Sequence, residues 1–153
     1  MRAKRSALVK ELLPKLGLTL GTDSTGRPVP LDVSALFKTT PRHIWLEIGF
    51  GGGEHLAGQA EANPDVGIIG AEPFMDGVGS LLRHLDERKL SNVRVVADDS
   101  RPLLYKLVDA CFDRAFLLFP DPWPKKRHHK RRLVNADFLS SLARCLKPNG
   151  LIH

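Results

Sequence analysis

Residues 43–53 read HIWLEIGFGGG, an apolar run from His43 to Phe50 that ends in the glycines Gly49, Gly51, Gly52 and Gly53. The run has the length and composition of a buried strand, and the glycines that close it predict a tight turn. Glu54 to Ala62 then has helical composition, so the local order is strand, tight loop, helix. The same alternation continues downstream. Val66 to Ala71 (VGIIGA) is a short continuous apolar run of the kind found in buried parallel strands, and Met75 to Lys89 places Val78, Leu81, Leu82 and Leu85 at helical spacing. A third strand is expected at Val93 to Ala97, a short helix at Pro102 to Val108, and a fourth strand at Arg114 to Phe119. A helix from Ala136 to Leu146 is closed by Lys147-Pro-Asn-Gly150, and a fifth strand opens at Leu151. Upstream, residues 1–42 read as a helical stretch followed by an irregular lead-in over Gly21 to Thr40, with Gly26, Pro28 and Pro30.

Repeated strand–helix units predict an α/β fold with a doubly wound, mainly parallel sheet. In such sheets ligands bind beyond the carboxyl ends of the strands, where strand order reverses. Four of these ends carry acids: Glu47, Glu72, the Asp98-Asp99 pair and Asp121. Each alone reads as a helix cap or loop residue; their recurrence at one edge marks that edge as the site.

Composition narrows the class. The 153 residues are 42% hydrophobic and 26% charged, which is ordinary globular usage for one domain. No apolar run approaches the roughly 18 residues of a membrane-spanning helix, and Lys10, Glu11 and Pro14 interrupt any secretory hydrophobic region. Cys111 and Cys145, far apart in the chain and in apolar surroundings, lack C-x-x-C spacing and read as buried packing residues. A cytoplasmic monomer without a metal is the expectation. The net charge of +6 is concentrated: Lys125 to Arg132 (KKRHHKRR) holds six cations and no acid, and the other seventeen cations balance the seventeen acids. A solvated loop or a localisation signal is the plainer reading of that run, and a local polyanion contact the sharper one.

The glycine loop excludes two common ligands by spacing. A G-x-G-x-x-G fingerprint begun at Gly49 needs glycine or alanine at position 54, which is Glu54; begun at Gly51 it needs one at position 56, which is Leu56. No G-x-x-x-x-G-K-[ST] occurs either. What stands here is E-x-G-x-G-x-G, Glu47 to Gly53. An acidic loop repels a pyrophosphate and suits a cationic ligand, and S-adenosylmethionine brings an ammonium and a sulfonium without a phosphate. Glu47, Gly49 and Gly51 would then line the donor site, Glu72 would accept from the ribose hydroxyls, and Asp99, or else Asp98, would face the adenine.

After the fourth strand comes Phe119-Pro120-Asp121-Pro122-Trp123-Pro124. Two prolines fix the direction of the Asp121 carboxylate, and Trp123 offers a flat surface to a base. A proline-stiffened turn with a core tryptophan is the alternative. The cationic run follows immediately and is suited to phosphates around a target nucleotide.

These residues resemble the bacterial tRNA (guanine-N7-)-methyltransferases, from about His43 onward. The run Pro120-Asp-Pro-Trp-Pro-Lys-Lys-Arg-His-His-Lys-Arg-Arg132 is specific to that family, and Leu46-Glu-Ile-Gly-Phe-Gly-Gly-Gly53 matches it. The resemblance implies a Rossmann-like S-adenosylmethionine-dependent methyltransferase domain over residues 43–153. It also implies that Glu47, Glu72, Asp99 and Asp121 line the methyl-donor site, that Asp121 is catalytic and that Lys125 touches substrate. Arg127, His128, His129, Lys130, Arg131 and Arg132 would contact tRNA. The family's sheet has seven strands, and its fifth strand runs on into a Thr-Asp segment and a later Thr-x-x-Glu, so a sheet incomplete at the C-terminus is expected. Left open beside the enzyme is a truncated, non-catalytic tRNA-binding remnant. A methyltransferase of exocyclic amino groups is disfavoured by the order Pro-Asp-Pro-Trp and by the cationic tail, and a nicotinamide oxidoreductase by the glycine spacing.

Overall fold

The computed structural model of the chain describes residues 2–18, 24–25, 32–98, 100, 103–104, 107, 110–117 and 136–153. In chain order the elements are helix α1 (Arg2–Leu16), a 3-10 turn (Val33–Leu36), β1 (His43–Ile48), α2 (Glu54–Ala62), β2 (Val66–Ala71), α3 (Met75–Glu87), β3 (Val93–Val96), β4 (Phe112–Phe116), α4 (Ala136–Cys145) and β5 (Leu146–Ile152). The five strands form one sheet in the order β3-β2-β1-β4-β5, parallel at every pairing. Strand order reverses at β1, which pairs β2 on one side and β4 on the other.

The alternation along β1 sorts the core into two layers. Ile44, Leu46 and Ile48 face a layer with Ile69, Val96, Leu103, Phe112, and Phe138 and Leu142 of α4. Trp45 faces the opposite layer with Leu56 and Ala60 of α2, Val78, Leu81 and Leu85 of α3, Ile68, Val93 and Phe116. Helices therefore cover both faces, as right-handed strand–helix–strand crossovers require. The N-terminal helix joins the second layer through Val9, Leu12, Leu13 and Leu16. Beyond its end Gly17 bridges Val95 in parallel and the Leu18 N–H donates to the Val95 carbonyl (2.8 Å). The outer edge of β3 is thus occupied by the chain's own backbone, which protects it from foreign pairing.

Two of the boundaries that differ from the sequence reading have a clear physical cause. The fourth strand begins at Phe112, earlier than the expected Arg114, because its polar residues find partners. Asp113 accepts the Ile44 N–H (2.9 Å) and lies 3.3 Å from both His43 Nδ1 and Lys147 Nζ, while the Arg114 guanidinium lies over the Trp45 ring, 5.2 Å from its centroid. Burial works against the Asp113 charge, but the Ile44 N–H, Lys147 and His43 together hold its carboxyl below the ordinary range. The fifth strand begins at Leu146, where a helix end was expected. Phe112 pairs Leu146 and Arg114 pairs Leu151, so Lys147 to Gly150 loop out of the ladder as a bulge. Pro148 has no N–H for the ladder, which is why the segment reads as a stop in sequence and lies within a strand in space. The expected helix at Pro102 to Val108 falls mostly outside the described residues. Cys111 and Cys145 are brought together: the Cys111 N–H donates to the Cys145 carbonyl (2.8 Å), and the hydrogen bond between the thiols, with burial, pushes the Cys111 thiol far up. Both are packing residues here.

Leu46 is fully buried at the centre of the sheet, next to the acid that closes β1. Leu46→Ala is expected to cost about 2–5 kcal/mol in urea unfolding; a loss under about 1 kcal/mol would mean that this layer is not packed as described.

Candidate functional site

Glu47 is the fifth residue of β1 and lies opposite Gly70 of β2 on one side and Phe116 of β4 on the other. It therefore stands at the point of strand reversal. Its side chain shares the face of Trp45, and the residue is 1% exposed. Oε1 lies 2.5 Å from Nδ1 of His55, in the first turn of α2. Oε2 has no hydrogen-bond partner among the described residues. Burial pushes the Glu47 carboxyl above its ordinary value, and the hydrogen bond and charge of His55 pull it part of the way back.

The loop over this strand end is built by left-handed backbone. Gly49, Gly51 and Gly53 have φ of 68°, 60° and 86°, a region that side chains disfavour. A Cβ at Gly53 would also press into Leu81 of α3, whereas one at Gly51 would meet nothing within 4 Å, so that residue borders open space. Glu72, directly after β2, fastens the loop. Its Oε1 accepts the Gly51 N–H (2.9 Å) and its Oε2 the Phe74 N–H (3.1 Å), which ties the glycine turn to the start of α3. The sequence reading gave this carboxylate to a ligand's hydroxyls. It already serves the backbone, with lone pairs remaining on both oxygens. Gly77, in the first turn of α3, lets that helix approach closely, since a Cβ there would collide with the Gly51 carbonyl. Phe74 and Met75 beside Glu72 are exposed, Phe74 by 74%.

The strand ends thus bring Glu47, Gly49, Gly51 and Glu72 together. Asp98 lies just past β3, in the lining of a cleft of about 540 Å³ between α1 and β3 with Leu13, Gly17 and Val95. Asp99, Asp121, Lys125, Arg127, His128, His129, Lys130, Arg131 and Arg132 lie outside the described residues. Among the described residues no group of three or more His, Cys, Asp or Glu side chains is placed to hold a metal ion, and no helix is long and apolar enough to cross a membrane. Sequence reasoning missed His55 and Gly77. Strand, tight turn and helix return the second residue of α2 over the last acid of β1, so the acid-to-histidine spacing across the glycines was the available signal.

Residues 41–153 match the family model described as "Putative methyltransferase". The tRNA (guanine-N(7)-)-methyltransferase of Hyphomonas neptunium is 59% identical over 124 residues, covering 81% of this chain and 56% of the relative. The protein of the same name from Caulobacter vibrioides (strain NA1000 / CB15N) is 46% identical over all 153 residues, which is 64% of the relative. The chain belongs to the bacterial tRNA (guanine-N7-)-methyltransferase family. It spans between 56% and 64% of the length of these two curated relatives. Among solved structures, the methyltransferase from Thiobacillus denitrificans in complex with S-adenosylhomocysteine superposes with a TM-score of 0.55, at 18% identity over 78% of this chain and 44% of that one. That is a likeness of fold, the Rossmann-like methyltransferase architecture.

A carboxyl whose folded pKa lies above its unfolded value supports the fold fully below the unfolded pKa, and that support is lost as pH rises through the folded value. Glu47→Gln, isosteric and uncharged, is therefore expected to raise the melting temperature of the ligand-free protein near pH 8 by about 2–4 °C. The gain should vanish near pH 4, where the native carboxyl is also neutral. A lower melting temperature for the variant near pH 8 would contradict the buried, under-partnered carboxylate.

Proposed function

We propose that the protein transfers a methyl group from S-adenosylmethionine to N7 of a guanine in tRNA. The observation that carries this reading is the buried Glu47 carboxylate, with Oε2 unpartnered, beneath a glycine loop at the strand reversal. A group so placed is matched to a cationic ligand and opposed to a phosphate. The relatives named as tRNA (guanine-N(7)-)-methyltransferases support the choice of acceptor.

The donor fits the residues present. Glu47 Oε2 accepts from its ammonium, open space beside Gly51 admits its chain, and the remaining lone pairs of Glu72 accept from its ribose hydroxyls. Phe74 and Met75 give the adenine an apolar flank, with Asp99 beside it. When bound, the donor supplies a methyl on a positively charged sulfur, activated without further help from the protein.

Guanine N7 offers a lone pair and no proton, so attack needs no base to remove one. Asp121, stiffened by Pro120 and Pro122, accepts from guanine N–H groups, sets N7 in line, and stabilises the positive charge that builds on the purine. Trp123 supplies a stacking surface. Lys125 contacts the substrate, and Arg127, His128, His129, Lys130, Arg131 and Arg132 hold phosphates of the tRNA and position it without reading its sequence.

Incubating the protein with S-adenosylmethionine and unmodified tRNA should yield 7-methylguanosine in nucleoside digests. Methyl on an exocyclic amine, or no methyl with both substrates bound, would overturn the reading. Asp121→Asn is expected to lower the single-turnover rate by about 10²-fold or more while tRNA affinity changes by less than about threefold. Equal losses of rate and affinity would reject the orienting role.

A further inference from the structure

His55 belongs to neither the glycine loop nor the acids that the function uses, yet it makes the one hydrogen bond that the Glu47 side chain has among the described residues. It is held from two sides. It sits in the first turn of α2, a helix anchored by buried Leu56, Ala57 and Ala60, and its ring meets Phe116 of β4 edge-on, with centroids 5.1 Å apart and an interplanar angle of 61°. Phe116 is in turn packed against Trp45 (5.8 Å, 62°). The imidazole is therefore pinned between α2 and β4, the strand across the reversal, with Nδ1 on one oxygen of a carboxylate that is almost wholly buried.

A carboxylate offers two oxygens, and a ligand ammonium gains most from one held at a fixed place. We propose that His55 is a positioning residue of the donor site: by engaging Oε1 of Glu47 it fixes the carboxylate plane and leaves Oε2 as the acceptor for the ammonium of the methyl donor. This inference rests on the reading of the site as one for S-adenosylmethionine. Without the His55 N–H, Glu47 keeps the desolvation of burial and loses the group that offsets it. The carboxyl pKa then rises further, its plane is no longer fixed, and the ammonium loses an oriented partner.

Two substitutions separate the hydrogen bond from the ring packing. His55→Phe retains an aromatic edge against Phe116 and removes the donor nitrogen. His55→Asn discards the ring and keeps an amide nitrogen one bond from Cγ, where Nδ1 stood. Titration calorimetry with S-adenosylhomocysteine is expected to show Kd raised about tenfold or more in His55→Phe and largely restored in His55→Asn. The affinity for tRNA should be unchanged in both. In a Glu47→Gln background, His55→Phe should have no further effect on Kd, because the carboxylate it positions is gone. If the unsubstituted protein binds neither S-adenosylhomocysteine nor S-adenosylmethionine, the donor reading itself fails. If it binds them and His55→Phe binds equally well, the donor reading stands and the role of His55 is rejected. An Asn variant as weak as Phe, or full additivity with Glu47→Gln, also rejects it.

Discussion

Burying a carboxylate away from water is costly unless partners replace the lost hydration. Glu47 meets that constraint only halfway: Oε1 has His55, and Oε2 has nothing among the described residues. Much of the surrounding structure serves to keep it there. Parallel strands on both sides of β1 remove the acid from solvent, and Trp45, Phe116 and the helix carrying Leu56 close the face on which it lies. A group maintained in an unfavourable state by an otherwise well-packed core marks a place where binding, and not folding, supplies the missing interaction.

The glycine loop and Glu72 prepare the rest of the site. Three left-handed residues let the backbone turn sharply over the strand end, and the Gly51 and Phe74 N–H groups on Glu72 lock that turn to α3. Gly77 allows the helix to come within contact of the loop. The conformational cost of ordering this loop is therefore met in the folded protein before any ligand arrives, which is the physical content of preorganisation.

Most of this frame was readable in the residues. The run HIWLEIGF and the continuous VGIIGA announced two buried parallel strands, and their structural limits, His43–Ile48 and Val66–Ala71, lie close to the expected ones. The acids at Glu47 and Glu72 were legible as strand-end residues because strand topology alone places them. What sequence could not give was partnership. Asp113 fell outside the expected fourth strand, since its partners, Ile44, His43 and Lys147, come from other elements. Pro148 looked like a terminator because a bulge is defined by register against β4 and leaves no local signature. His55 drew no reading in the sequence, because only the folded turn carries it back to Glu47. That Glu72 also accepts the Gly51 and Phe74 N–H groups was likewise visible only in the fold.

The account turns on a negatively charged oxygen at the strand reversal that selects a ligand ammonium. The most direct measurement compares the Kd of S-adenosylhomocysteine with that of its deaminated analogue, identical but for the missing amine, in the native protein and in Glu47→Gln. The native protein should favour the amine-bearing ligand by about tenfold or more, and the variant should bind the two within about threefold. An undiminished preference in Glu47→Gln, or no preference in the native protein, would contradict it.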